Sequence, residues 1–348
     1  MPAPLSRRDL LKLGGAAFTG LALSRLVQLD ARAQTEGSLI GRVAADPRLK
    51  VRARPSFSAD ILGYRYRDEL LELAGTVSGE DDPAQVWYGL PGGGYVTAAY
   101  IQQPVENRPN PPVEKIPEGG LPGEITIPFT DAYWQLGDHP YPGGRLYYSS
   151  VHWIESIGDE GGGRGLWYRA YDQQTNAHYF IPTEAVRIVP PEEFAPLSAD
   201  VPPEEKRIEV WLDEQRLVAF EGERIAFTAR TSTGAGFHGT PVGQFRTFHK
   251  RAGAHMSSGY IDLPGVPWSS YITENGVAFH GAYWHSEFGV PHSHGCINLR
   301  PQDALWIYRW TTPVMSAGVN YLYLPGQGTR VSVLKSAAES PSWRTGRS

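Results

Sequence analysis

The chain has 348 residues, more than one ordinary domain uses, and its 41% hydrophobic and 20% charged residues describe a folded globular protein rather than a disordered one. A formal net charge of -5, with no basic stripe, excludes the electrostatic footprint of a nucleic-acid binder. The single cysteine, Cys296, cannot close an internal disulfide, so packing and hydrogen bonds must hold the fold.

Residues 1–33 come first in the chain. Arg7 and Arg8 precede a Gly/Ala/Leu run, and Ala31 and Ala33 flank Arg32 as a small-x-small step. The run is interrupted by Arg25 and is too short to span a bilayer. This segment resembles a twin-arginine export signal. The resemblance implies a cell-wall, periplasmic or extracellular destination, with no stable membrane span after cleavage. In such an oxidising compartment a lone thiol is either buried or used.

Proline clusters then divide the chain. Residues 104–122 ("VENRPNPPVEKIPEGGLP" after Pro104) and 190–206 have neither helical nor alternating period and read as linkers. Between them, residues 38–103 and 123–189 carry short alternating runs broken by glycine and proline, the pattern of small β-barrels. "VWYGLPGGGYVTAAYIQQ" and "LWYRAYDQQTNAHYFIPTEAV" share a Trp-Tyr opening, a turn and an aromatic strand, a degenerate internal repeat. Both blocks resemble bacterial SH3-like domains, which implies docking on wall peptide or glycan. Trp87, Tyr95, Trp153, Trp167 and Tyr168 read first as core and hairpin packing.

The third block, residues 207–325, opens with Ile208, Val210 and Leu212, then Leu217, Ala219 and Phe220, around "DEQ": a β-hairpin followed by the strand "RIAFTAR". The whole chain therefore reads as all-β with one helix, "RPQDALWIYRW". Pro301 stands near its first position, Asp303 in its first turn, and Ala304, Leu305, Ile307 and Tyr308 form an inward face. "MSSGYIDLPGVPW" reads as a lid loop over a cleft, and residues 326–348 as a tail that loses its period after Leu334.

The helix starts directly after "PHSHGCINLR", and here three readings of Cys296 compete. A metal site could use His292, His294 and Cys296, but no second ligand pair accompanies them. A buried structural thiol is the ordinary fate of a lone cysteine, yet Ser293, His294, Asn298 and Arg300 are not the company of a dry core. A nucleophile needs a base and a group that orients the base. His280, ending the apolar run "NGVAF", meets the first demand, and Gly295 frees backbone to approach an oxyanion.

"FHGAYWHSEFGVPHSHGCINLRP" resembles the catalytic signature of the L,D-transpeptidases, the YkuD-like family, and "TSTGAGFHGTPVGQF" resembles that family's upstream segment. The resemblance implies Cys296 as nucleophile, His280 as general base, and the Gly281 carbonyl as its orienting partner. Ser293, His294 and Gly295 fill the remaining motif positions, with the Gly295 and Cys296 amides as oxyanion donors. Asn298 stands where the commonest motif has arginine, which leaves recognition of a substrate carboxylate open. Asn298, Arg300, Tyr260, Tyr271, His285 and His292 are the substrate-binding candidates. The implied partner is a peptidoglycan stem peptide, with no metal or organic cofactor. The implied reaction is cross-linking through a cysteine thioester, with hydrolysis by water or a non-catalytic wall-binding role as alternatives.

Overall fold

The computed structural model describes residues 39–159, 165–259 and 261–340. The features expected in residues 1–33, at Tyr260 and in residues 341–348 lie outside them. The protein is mainly β, and among the described residues there is one α-helix, Pro301–Trp310.

The alternation has its cause in the pleat. In Arg48–Arg52 and Leu70–Leu73, the residues Leu49, Val51, Leu71 and Leu73 turn inward while Arg48, Lys50 and Glu72 face out. Strands between residues 39 and 102 form a three-stranded and a five-stranded sheet around Val43, Tyr88, Val96 and Ile101. Residues 121–188 supply a seven-stranded antiparallel sheet about Ile125, Ile154, Tyr168 and Ile181. Trp87, Trp153 and Tyr168 are buried, while Tyr95 and Trp167 are half-buried.

The proline-rich stretches lie against these sheets. Val105 is buried, with its N–H donating to the Ile40 carbonyl at 3.0 Å, and Val113 N–H donates to the Tyr168 hydroxyl at 3.1 Å. Phe194 is buried between Trp268 and Tyr308, with ring centroids 6.0 and 6.4 Å away.

Residues 206–334 hold two five-stranded sheets. The hairpin around "DEQ" is Lys206–Trp211 with Arg216–Glu221, and Arg330–Leu334 adds in parallel beside the former. The second sheet runs in the order Ile297–Leu299, Ala278–Gly281, Ile261–Tyr271, His249–Ser258, Leu322–Tyr323. Its two longest members pair antiparallel from His249 with Tyr271 to Ser258 with Ile261. The stretch expected as a lid loop is therefore part of an extended hairpin. Glycine and proline mark turns in an isolated sequence, but here they sit at irregular points: Gly265 and Trp268 take positive φ (69° and 59°), and the register shifts between Ala254 and Met256.

The helix follows from its ends. Pro301 stands at its start, Asp303 lies in its first turn and Arg309 in its last, matching the helix dipole. Ala304, Ile307, Tyr308 and Trp310 are buried with Phe279, Ile297 and Leu299, whereas Leu305 is only half-buried. At the far end, the Tyr308 and Thr311 carbonyls each accept a hydrogen bond at 2.6 Å from Nζ of the buried Lys250. That lysine satisfies carbonyls that no turn of helix can reach.

Candidate active site

Two short parallel strands carry the segments that hold His280 and Cys296. Ala278–Gly281 pairs with Ile297–Leu299 so that Phe279 faces Ile297, His280 faces Asn298 and Gly281 faces Leu299. Ladder partners share a sheet face, and alternate residues return to it. Cys296 stands immediately before the second of these strands, and its sulfur reaches the Gly276 carbonyl just ahead of the first.

The half-buried Cys296 Sγ donates to the Gly276 carbonyl at 3.5 Å. Burial pushes its pKa up, and a hydrogen bond from the Ala278 amide opposes that shift. His280 is 3% exposed, with Nδ1 3.2 Å from the Gly281 carbonyl. A carbonyl can only accept, so Nδ1 carries the proton and Nε2 is the basic nitrogen. Burial lowers the His280 pKa to about 4, against the pull of that carbonyl. Burial thus disfavours the charged form of both groups.

The turn before the cysteine is held from within. Ser293 Oγ donates to the Cys296 carbonyl at 2.6 Å and accepts from the Gly295 amide at 3.1 Å. Gly295 has φ of 115°, which favours glycine, and its carbonyl accepts from Thr240 Oγ1 at 2.8 Å. The Gly295 amide is therefore spent on Ser293 rather than presented as an oxyanion donor. The expectation placed it at the oxyanion because a motif shows order along the chain but not where a serine folds back. The Cys296 amide is the donor that remains of the two. His294 is exposed, its ring 4.8 Å from that of His238.

The proposed substrate-binding residues scatter. Asn298 and His285 are each 1% exposed, and Asn298 Nδ2 donates to His285 Nε2 at 2.9 Å. They lie beneath the surface and cannot meet substrate as expected, because the register that puts Asn298 opposite His280 also puts it inside the fold. Burial drives His285 well below the ordinary histidine range, helped by His292 and His280 nearby. Arg300 flanks the helix start with its guanidinium 5.7 Å over the Phe288 ring. His292 is half-buried, 3.6 Å from Glu287 and with its ring 4.6 Å from that of His285. The His292, His294 and Cys296 side chains thus go three different ways, and no group of three His, Cys, Asp or Glu among the described residues could hold a metal ion.

Tyr271 does lie at the site. Its ring stacks on His249 at 4.3 Å, and its phenol is pushed up to about 12 by burial, with Cys296 raising it further. Sequence reasoning passed over Thr240, Trp284, whose ring is 5.9 Å from His280, and Arg251. Arg251 and His249 project from the hairpin into a cavity of about 360 Å³ that also reaches Gly276, beside the sulfur. Thr240 and Trp284 stand inside the quoted motifs without a role of their own, whereas Arg251 lies in no motif and is delivered by the pairing of the hairpin.

Residues 205–333 match a family model described as the YkuD L,D-transpeptidase catalytic domain. Over 102 residues, 26% of this chain, the sequence is 33% identical to L,D-transpeptidase 1 of Mycobacterium tuberculosis. The chain covers 40% of the length of that relative. Among solved structures, an Enterococcus faecium L,D-transpeptidase is similar at 23% identity and a TM-score of 0.31, covering 37% of this chain and 50% of that one. A Mycobacterium smegmatis L,D-transpeptidase is similar at 19% identity and a TM-score of 0.31, covering 53% and 89%.

Proposed function

We propose that the protein is an exported peptidoglycan L,D-transpeptidase working through a Cys296 thioester. The observation that carries this reading is the parallel pairing of the strand that ends in His280 and Gly281 with the strand that begins just after Cys296, with the imidazole proton fixed on Nδ1.

As the sulfur attacks the carbonyl carbon of the third residue of a tetrapeptide stem, its proton passes to His280 Nε2. The carbonyl electron pair moves onto oxygen, where the Cys296 amide donates a hydrogen bond. When the C–N bond breaks, His280 returns that proton to the departing D-alanine amine, leaving a thioester and a neutral imidazole. An acceptor amine then attacks the thioester, gives a proton to His280, and expels the thiolate, which recovers the proton. Water in place of the amine gives hydrolysis. Gly281 turns the ring, Ser293 holds the turn, and Tyr271 walls the site. No step asks for a metal or organic cofactor. The two sheet-rich blocks before residue 190 are read as SH3-like modules that dock on wall polymer, and residues 1–33 as the export signal.

The test is acylation of the purified protein by a carbapenem or a stem-peptide thioester, read as a mass increase on Cys296. Cys296→Ser should abolish it and His280→Ala should slow it by at least a hundredfold. Acylation no faster than that of free cysteine would leave a wall-binding protein without catalysis.

A further inference from the structure

The cavity that reaches Gly276 holds an arginine with no ion pair among the described residues. Arg251 Nε donates to His249 Nε2 at 3.1 Å, a second N–H donates to Gln173 Oε1, and the guanidinium lies 4.9 Å over the Tyr321 ring. None of these partners is an anion, and among the described residues no carboxylate comes within ion-pair distance of it. The other charged groups on that wall are occupied. Glu274 accepts from the Tyr323 hydroxyl at 2.9 Å, and His255 is held between Asp172 and Asp262 at 2.5 and 2.6 Å. A half-buried guanidinium retains donors for an incoming bidentate anion, the geometry that carboxylates satisfy. Arg251 and Tyr271 line one cavity with Gly276, whose carbonyl accepts from the Cys296 sulfur at 3.5 Å. Asn298, at the motif position where an arginine was missed, is buried on His285, and Arg300 lies over Phe288.

We propose that Arg251 is the anchor for a free carboxylate of the donor peptide, propped by Gln173 from the second block. This rests on the transpeptidase reading above. The carboxylate binds at the end of the hairpin cavity nearest Tyr271 and fixes the peptide carbonyl over Cys296. The second block thereby becomes a wall of the substrate site and not only a docking module.

The experiment uses the full chain and a panel of stem tetrapeptides, each with a different carboxylate converted to a primary amide, with Cys296 acylation followed by mass spectrometry. In the unaltered protein one amidation should lower kcat/KM about ten- to a hundredfold, the range for a charged hydrogen-bonded pair. Arg251→Gln should lose the same factor on the parent peptide, chiefly in KM, and be indifferent to that amidation; Arg251→Lys should recover part of it. Alkylation of Cys296 by neutral iodoacetamide checks that each variant keeps a folded site. If Arg251→Gln is acylated normally, or still discriminates against the same amide by the full factor, the anchor is elsewhere and only this proposal falls. If no peptide acylates any form, the transpeptidase reading falls and takes this one with it.

Discussion

His255 ties the hairpin to the second block, and the strength of that tie should depend on pH. Its Nδ1 lies 2.5 Å from Asp172 and its Nε2 2.6 Å from Asp262, so both nitrogens donate and the ring is an imidazolium. The Asp172 bond, with Asp262 adding to it, raises the His255 pKa from 6.5 to about 9. At 1.36 kcal/mol per pH unit this corresponds to about 3 kcal/mol. Asp262 is 74% exposed and its share is screened by water, which reduces the figure to about 2 kcal/mol. A group whose folded pKa is raised contributes fully below its unfolded value, and the contribution disappears as pH rises through the folded one. The window is therefore pH 6.5 to about 9. The neighbouring His152 does not interfere: burial lowers it to about 3, and it is bonded to Ser150 and Tyr179. His255→Gln should lower Tm by about 4 °C at pH 6.5, since a chain of this size shifts by about 2 °C per kcal/mol. The gap between the two proteins should close by pH 9.5. Thermal unfolding of both in matched buffers measures it. A gap that stays constant across that range would show that the imidazolium clasp contributes nothing.

With the Cys296 thiol pKa raised by burial, thiolate absorbance near 240 nm should be absent at neutral pH and grow only in alkali; a full signal at pH 6 would mean a preformed ion pair. Ser293→Ala removes both bonds that close the turn, about 2 kcal/mol, and acylation should slow at least tenfold while the Cys296 thiol remains titratable. In Gly281→Ala the new methyl would meet Pro267 Cγ at 2.7 Å and the Pro301 backbone at 2.9 Å, so denaturant unfolding should show a loss of about 1–3 kcal/mol. Acidification should destabilise the fold through His280, whose lowered pKa makes its contribution present above pH 6.5 and lost as pH falls towards 4, measurable as a Tm decline that His280→Gln lessens.

What the chain disclosed and what it hid divide along the distance over which each feature is built. The helix was legible because Pro301, Asp303 and the buried Ala304, Ile307 and Tyr308 lie within ten residues. The turn at Ser293 to Cys296 was legible as a motif for the same reason. The inward orientation of Asn298 was not, because it depends on which residue of another strand it faces: one step of register would have turned it to the opposite side. The hairpin was misread as a loop because its prolines and glycines were weighed locally, while ladder bonds along both arms outweigh them. Arg251 was invisible for a stronger reason. Its significance comes from Gln173, 78 residues earlier, and from having no ion-pair partner among the described residues, and a missing partner leaves no trace in a sequence. The same distance makes the site dependent on more than its own sheet. Gln173 and Asp172 are adjacent in the second block, and they reach Arg251 and His255 of one hairpin arm, so an unpaired cation beside the sulfur is kept in place by the same turn that receives the imidazolium. Loosening that turn should disturb the proposed anchoring by Arg251 without touching Cys296 or His280, a dependence that the two strands next to those residues would not predict on their own.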